Sequence, residues 1–289
     1  MKGYISNLSA AILWNVPCIE TVIGHKISGI DYADITVTDY NARFRINGKK
    51  VHASENALPP GAVTIKDGRM ISSPELLFLE LAEKLSIHRL ILLGLQLCSH
   101  QSGSQSATIT TKRKLEEFLS KTKWHKGKCK AMQALKYVQD GSASIMESLT
   151  YMILGLPHTL GGYGLHGAVF NHEIKLKGEA KRSLGQDRCF MDLYYKSAKL
   201  GVEYQSVTHH SSPAEQGKDA KRAVILGRKG INVLFLNTIQ LYEGVACRDF
   251  AHTLATRLGR RIQIRTKKFD EMHTLLRELL PGKAIDFLV

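Results

Sequence analysis

The sequence predicts a protein of the α+β class with two domains, a smaller α+β domain followed by an α/β domain whose mixed sheet is flanked by helices. The chain has 289 residues, of which 44% are hydrophobic, so it is long enough and apolar enough for two globular domains. Strand-like segments separated by turn signals dominate residues 34–70, whereas helices and strands alternate after residue 187. Apolar strands that alternate with helices indicate a buried sheet covered by helices.

A polar stretch at residues 99–106, rich in Ser, Gly and Gln, has the composition of a linker. The charge changes at the same place, because residues 1–110 carry 10 basic and 9 acidic side chains whereas residues 111–289 carry 30 and 17. We therefore predict an N-terminal recognition or regulatory domain over residues 1–110 and a basic domain over residues 111–289.

The net charge of +14 favours a polyanionic partner, and DNA is the partner that we expect. Solubility alone is the alternative explanation of this charge. No run of residues reaches the roughly 18 apolar residues that a membrane-spanning helix needs, so no membrane association is expected. The five cysteines are widely spaced and form no C-x-x-C pair, which is typical of reduced thiols in a cytoplasmic protein without a structural zinc site.

Short-range signals define the elements of the first half. Ser73-Pro74-Glu75 begins a Leu-rich helix, with Ser73 as the N-cap and Pro74 at the first helical position. Asn47-Gly48 and Asp67-Gly68 are turn signals between strands. The predicted strands are residues 35–38, 42–46 and 62–65.

Two basic clusters are candidates for contact with the phosphates of DNA, although both are also compatible with a solvated surface. The first lies around the predicted helices 112–120 and 130–139, where Trp124 is available for stacking on a base. Its predicted contacts are Lys123, Lys126 and Lys128. The second occupies a predicted short strand over residues 261–265, and its predicted contacts are Arg260, Arg261 and Arg265.

The second half alternates helices with strands. Ser144-x-x-Glu147 matches a capping box before an apolar helix that extends through Leu154. Ser212-Pro213 begins a further helix that runs to about Gly227. The other predicted elements are strands at residues 187–195, 199–207 and 231–236 and helices at residues 239–258 and 269–280.

Two acidic residues on neighbouring predicted strands form the candidate catalytic site. Glu203 and Gln205 are two residues apart and share one face of a strand, and antiparallel pairing would bring Asp192 close to Glu203. Facing carboxylates repel unless a proton or cation lies between them, and Mg²⁺ or Mn²⁺ is the expected cation. Glu147 is a further candidate ligand, although its capping-box role is the simpler explanation. His209, just past the strand, is placed to take a proton from water.

The pattern of these residues resembles a known family. Asp192 precedes Glu203-Tyr204-Gln205-Ser206-Val207-Thr208-His209, then Asp219-Ala220-Lys221-Arg222 on the next helix. Leu226, Gly230 and Val233 follow. This arrangement resembles the PD-(D/E)xK nuclease fold. It is most similar to the small endonuclease-like domains related to the very-short-patch repair endonuclease. The same domain is found at the C-terminus of abortive-infection, type IV toxin–antitoxin antitoxins of actinobacteria. The resemblance covers roughly residues 70–242.

The resemblance implies a restriction-endonuclease-like mixed sheet flanked by helices, and a role for each matching residue. Asp192 and Glu203 would be the metal carboxylates, with His209 as the histidine of the motif. Asp219 and Arg222 would hold the next helix against the site, and Arg222 is also a predicted DNA contact. Gln205 stands where the superfamily often has Lys and the small domains have Asp. Because glutamine carries no charge, it would stabilise the transition state less than lysine does.

Two functions therefore follow from the sequence as expectations. The first is a metal-dependent DNA-processing enzyme that hydrolyses phosphodiester bonds by in-line attack of water. The second is a catalytically degenerate, DNA-binding transcriptional regulator or antitoxin-like protein, with a toxin or another protein as partner. A structural protein with an incidental charge is the third alternative.

Overall fold

The structure is a computed structural model that describes residues 3–27, 34–44, 48, 50–100, 108–123, 125–206 and 213–282. It divides into two compact units, an N-terminal unit of residues 1–140 and a C-terminal unit of residues 141–289. Both units combine helices with a mixed sheet, so the predicted α+β class is confirmed. No helix in the described ranges is both long and apolar enough to cross a membrane.

The N-terminal unit contains a five-stranded mixed sheet in the order β3-β2-β1-β5-β4. Its strands are β1 (Tyr4–Ile5), β2 (Asp34–Val37), β3 (Lys50–Ala53), β4 (Val63–Lys66) and β5 (Arg69–Ser72). Strand β1 pairs antiparallel with β2 and parallel with β5, β2 pairs parallel with β3, and β4 pairs antiparallel with β5.

Two local predictions for this unit are confirmed and a third is wrong. Asp67 and Gly68 both have positive φ between β4 and β5, as the predicted turn requires. The Ser73 side chain accepts a hydrogen bond from the backbone N–H of Leu76, as an N-cap does. The predicted strand over residues 42–46 is replaced by a 3-10 turn at Tyr40–Ala42, and residues 45 and 46 lie outside the described ranges.

The helices of the N-terminal unit extend beyond the domain boundary that the sequence suggests. Its helices are α1 (Asn7–Leu13), α2 (Ile19–Ile23), α3 (Pro74–Lys84), α4 (Ile87–Leu97), α5 (Lys112–Lys121) and α6 (Lys128–Leu135). Helices α5 and α6 pack against α3 and bury Leu115, Leu119 and Leu135. Because an amphipathic helix must bury its apolar face, these two helices join the N-terminal unit and place the boundary at 140/141 rather than 110/111.

This boundary changes the distribution of charge. Residues 1–140 contain 19 basic and 12 acidic side chains, and residues 141–289 contain 21 and 14. Each unit therefore carries a net charge of +7, and the excess of positive charge is not confined to the C-terminal unit.

The C-terminal unit contains a four-stranded mixed sheet in the order β6-β7-β8-β9. The strands are β6 (Val169–Lys175), β7 (Arg188–Tyr195), β8 (Leu200–Gln205) and β9 (Asn232–Asn237). The first three pair antiparallel, whereas β8 and β9 are parallel. A parallel pair requires a crossover, which α9 (Pro213–Arg228) provides. The other helices are α7 (Ile145–Gly155), α8 (Glu179–Leu184), α10 (Thr238–Tyr242), α11 (Gly244–Arg257) and α12 (Phe269–Arg277).

Two predictions for the end of the chain are corrected. The helix predicted over residues 239–258 is interrupted at Glu243, whose side chain caps α11 by accepting hydrogen bonds from the N–H groups of Val245 and Ala246. The short strand predicted over residues 261–265 is wrong, because that segment has no regular structure. Its basic side chains lie on the connection between α11 and α12.

Candidate functional site

The first part of the candidate site lies where β7 and β8 stop pairing. Tyr195 pairs with Leu200, and pairing ends where Leu193 is opposite Val202. At Asp192, the residue before Leu193, a side-chain carboxylate oxygen accepts a hydrogen bond of 2.8 Å from the backbone N–H of Tyr204. The carboxylate therefore takes the place of a backbone carbonyl of the ladder, at the point where strand pairing ends.

Helix α7 contributes a second carboxylate, that of Glu147. The N-cap of this helix is Ser144, whose side chain accepts a hydrogen bond from the Glu147 N–H, as predicted. The Glu147 carboxylate accepts from the N–H of Ala143 at 2.9 Å, one residue before the N-cap. The same oxygen accepts a second bond, of 2.7 Å, from the side-chain amide of Asn171. Glu147 is only 8% exposed, so these bonds hold it inside the unit.

Asn171 bonds Glu147 from a position opposite Asp192 in the sheet. It lies in β6 between the pairs Phe170–Leu193 and His172–Met191, and is therefore opposite Asp192 on β7. Its backbone has φ of 43°, a left-handed conformation that asparagine adopts more readily than most residues. The amide that bonds Glu147 thus comes from the residue next to Asp192. No sequence signal in this region predicts the left-handed residue.

The two carboxylates influence each other's ionisation. Burial and the negative charge of Asp192 raise the pKa of Glu147 to about 7. Burial also raises the pKa of Asp192, against the opposing effects of the Tyr204 N–H and the Arg222 charge. Because the pKa of each carboxyl is raised, the pair takes up a proton at a higher pH than free carboxylates do.

Glu203 has a different partner from the one that the strand pattern suggests. Its carboxylate forms an ion pair of 3.0 Å with Arg222 on α9. The same guanidinium donates a hydrogen bond to the backbone carbonyl of Phe190 on β7. Arg222 therefore ties α9 to β7 and β8, and its guanidinium is engaged by protein groups. The structure thus pairs Glu203 with Arg222, while the charge of Asp192 acts on Glu147.

The remaining predicted catalytic and supporting residues are described only in part. Gln205 is exposed at the end of β8, where it pairs with Asn237 of β9. His209 lies outside the described ranges, and Asp219 belongs to α9, with its side chain outside the description. Within the described residues, no three His, Cys, Asp or Glu side chains form a group that could hold a metal ion. The metal site of three carboxylates stays a prediction, because the described structure shows Glu203 paired with Arg222 and Asp192 acting electrostatically on Glu147.

The first basic cluster belongs to the N-terminal unit. Lys123 is exposed, and Lys126 forms an ion pair of 2.5 Å with Glu83. The Lys128 ammonium donates a hydrogen bond to the backbone carbonyl of Thr122, within the connection between α5 and α6. Trp124 lies outside the described residues. Of the three predicted lysines, Lys123 extends into solvent, whereas Lys126 and Lys128 have protein partners.

The second basic cluster lies on the connection between α11 and α12. Arg260 donates a hydrogen bond of 2.6 Å to the backbone carbonyl of His166, and Arg265 donates one of 3.0 Å to the side chain of Gln263. Arg261 is exposed. The cluster therefore presents positive charge on an irregular segment rather than on the predicted strand.

No protein-family model, curated protein or solved structure matches this chain. The fold and the site describe a basic, mixed α+β protein in which a half-buried Asp192, at the end of the β7–β8 pairing, acts on the buried Glu147 of α7.

Proposed function

We propose that the C-terminal unit is a metal-dependent, restriction-endonuclease-like domain of a DNA-processing protein that hydrolyses phosphodiester bonds. The observation that carries the proposal is the position of Asp192, where β7 and β8 stop pairing, together with its electrostatic effect on Glu147. The mixed sheet, with α7 before it and α9 between its parallel strands, agrees with the proposed fold.

The residues of the site have separate roles in this mechanism. Asp192 and Glu147 would hold Mg²⁺ or Mn²⁺, since hard cations bind carboxylate oxygens. Such an ion, when bound, polarises a phosphodiester and lowers the pKa of water. Gln205 offers an uncharged amide where a lysine would supply a positive charge, so its contribution is limited to hydrogen bonding. Burial raises the pKa of Asp192, and the Tyr204 N–H and the Arg222 charge oppose that rise, which favours the ionised form that binds a cation.

The distribution of charge supports contact with the DNA backbone. Both units carry net positive charge, and Lys123 and Arg261 present exposed cationic side chains. Phosphate contacts of this kind supply affinity and orientation without reading sequence.

DNA binding without cleavage is a second candidate function. It is favoured by the ion pair of Glu203 with Arg222, which neutralises one of the carboxylates expected to bind metal. Gln205 also leaves the site without the fixed positive charge of a lysine. A protein of this kind would act as a transcriptional regulator or antitoxin, with a toxin as partner.

The test is cleavage of supercoiled and single-stranded DNA with Mg²⁺ or Mn²⁺. We expect cleavage by the wild type, none by Asp192→Asn, and faster cleavage by Gln205→Lys. The matched control is Glu179→Gln, because Glu179 is an exposed acid on α8 of the same unit, with 80% of its side chain accessible. No cleavage by the wild type or by Gln205→Lys, with DNA still bound, would reject the nuclease and favour the regulator.

A further inference from the structure

Strand β9 forms one edge of the C-terminal sheet, because the order β6-β7-β8-β9 leaves it with β8 as its only neighbouring strand among the described residues. It runs from Asn232 to Asn237, and every residue between these two asparagines is apolar. An edge strand presents unpaired N–H and C=O groups, and proteins usually protect it with charged side chains, proline, a bulge or a short length. The sequence of β9 contains no charge and no proline, so it lacks the side chains that usually prevent pairing with another chain.

The other sheet edges within the described residues are better protected. The opposite edge of the same sheet, β6, contains Glu173 and Lys175 and departs from regular pairing at Asn171, whose φ is positive. In the N-terminal sheet, the edge strands β3 and β4 are four residues long, and each contains a lysine, Lys50 or Lys66. Among the described strands, β9 is thus the one edge with neither a charge nor a break in its pairing.

The pairing with β8 determines which backbone groups of β9 point outwards. The Asn232 N–H donates a hydrogen bond of 3.0 Å to the Lys199 carbonyl, at the start of the parallel ladder. The even-numbered residues of β9 therefore direct their N–H and C=O groups to β8. Those of Val233 and Phe235 point away from the sheet, and within the described residues they form no hydrogen bond to another element.

Apolar side chains are accessible at this edge. Phe235 keeps 38% of its surface exposed, and Leu234 is half-buried. Ile239, in α10 directly after the strand, is also exposed. A strand added here would cover part of this apolar surface in addition to forming backbone hydrogen bonds, which is how extended segments bind to sheet edges.

The sequence of β9 is suited to a second copy of itself. From Asn232 to Asn237 the strand reads N-V-L-F-L-N, with asparagine at both ends and apolar residues between them. A two-fold axis at Leu234 would place Val233 opposite Phe235 of the partner subunit in an antiparallel pair. These are the two residues with outward backbone groups, so each pair can exchange N–H···O=C bonds. Leu234 would then lie opposite Leu234 of the partner subunit, with no like charges facing each other.

We propose that two copies of this chain associate through β9 in this antiparallel arrangement, which joins their four-stranded sheets into one continuous sheet. Each unit carries a net charge of +7, so an uncharged strand is the part of the surface that a second copy can approach without losing ion pairs or facing lysines. The axis uses the same edge of both copies, so the association ends at a dimer and does not continue into fibres.

Sedimentation velocity of the full chain at about 1 to 100 μM tests the proposal. We expect a concentration-dependent equilibrium between monomer and dimer, without larger species. Leu234→Lys should weaken dimerisation at least about tenfold, because the axis places the two new charges directly opposite each other. A wild type that is monomeric at every concentration, or that grows into species larger than a dimer, would overturn the proposal.

Mixing two variants gives the decisive measurement. Leu234→Glu should also be monomeric by itself, for the same reason as Leu234→Lys. An equimolar mixture of the two should form the dimer again, because opposite charges then meet at the axis. Failure of the mixture to associate more strongly than either variant alone would overturn the proposed axis.

A cross-linking variant avoids the introduction of charge if either substitution unfolds the C-terminal unit. In Leu234→Cys, two thiols at opposite, non-hydrogen-bonded positions of an antiparallel pair lie close enough for a disulfide. Oxidised glutathione should therefore cross-link this variant into a dimer on a non-reducing gel. The control is the wild type, whose Cys18 and Cys129 are exposed. Cross-linking of the variant no greater than that of the wild type would overturn the proposal.

Two controls locate the contact. Ile65→Lys changes a side chain that is 74% exposed on β4, an edge of the N-terminal sheet, and should dimerise as the wild type does. Loss of the dimer in Ile65→Lys but not in Leu234→Lys would assign the contact to the other sheet and overturn the proposal. Asp192→Asn should dimerise normally, so a failure of this proposal is distinguishable from a failure of the proposed nuclease.

Discussion

Replacement of Glu80 by glutamine should change how the stability of the N-terminal unit depends on pH. Burial raises the pKa of Glu80 to about 7 from its ordinary value of 4.5, against the opposing hydrogen bonds from Asn7 and Ser72. The folded unit therefore holds this proton more tightly than the unfolded chain does. Its contribution to stability is complete below pH 4.5 and is lost as the pH rises through about 7.

The size of the effect follows from the two pKa values. At about 1.4 kcal/mol per pH unit, the difference between 4.5 and about 7 amounts to about 3 kcal/mol. Glutamine does not ionise, but it keeps an acceptor for the Asn7 N–H and the Ser72 hydroxyl. Compared with the wild type, Glu80→Gln should therefore gain about 3 kcal/mol of stability between about pH 4.5 and about pH 7, and nothing further above that.

Tryptophan fluorescence during urea denaturation is the appropriate assay. Trp14 and Trp124 are the two tryptophans of the chain, and both belong to the N-terminal unit. Trp14 donates a hydrogen bond to the backbone carbonyl of Ser72, whose hydroxyl bonds Glu80, so it reports on the surroundings of the carboxylate. The matched control is Glu116→Gln on α5, where 56% of the side chain is accessible. A stability difference between Glu80→Gln and wild type that stays constant across this pH range would refute the reasoning.

Four further results are expected. Gly162→Ala should destabilise the C-terminal unit by about 2 kcal/mol, because the new Cβ would lie 2.2 Å from the carbonyl oxygen of Leu156. In the same thermal melts followed by circular dichroism, Gly227→Ala in α9 should stabilise by about 0.5–1 kcal/mol, since no atom lies within 4 Å of its new Cβ. Arg222→Ala should cost about 2 kcal/mol by removing the ion pair with Glu203, and Glu203→Gln in the same chain should restore part of this loss. Equal stability of the single and double variants would contradict a stabilising ion pair. In fluorescence anisotropy, affinity for DNA should fall at least about tenfold between 50 and 200 mM salt if two or more phosphates are contacted, and a flat response would exclude phosphate contact.

Local sequence signals predicted the elements whose formation depends on neighbouring residues. Ser73 caps α3, Ser144 caps α7, and Asp67-Gly68 turns the chain between β4 and β5, because each uses hydrogen bonds or φ values within a few residues. The alternation of helices and strands after residue 187 likewise predicted the mixed sheet. In contrast, the break in the predicted helix at Glu243 was not foreseen, because the apolar periodicity of the sequence continues through both α10 and α11.

The partners of the candidate site were harder to predict. Alternation along β8 placed Glu203 and Gln205 together, and antiparallel pairing suggested Asp192 as their neighbour. The register agrees, because Leu193 pairs with Val202 and Asp192 bonds the Tyr204 N–H beside Glu203. The structure adds the ion pair of Glu203 with Arg222 and the effect of Asp192 on Glu147. A strand pattern gives the side of the sheet but not where pairing ends, and that end determines where the carboxylate points.

The sequence by itself therefore determined the α+β class, the ends of several helices, the position of one tight turn and the net charge of +14. Tertiary structure alone decided that α5 and α6 belong to the N-terminal unit, and that the charge of Asp192 acts on Glu147. It also decided that Glu80 is buried on α3, where it accepts hydrogen bonds from Asn7 and Ser72. The physical reason is distance along the chain: caps and turns form between near neighbours, whereas these features require segments separated by tens of residues to pack together.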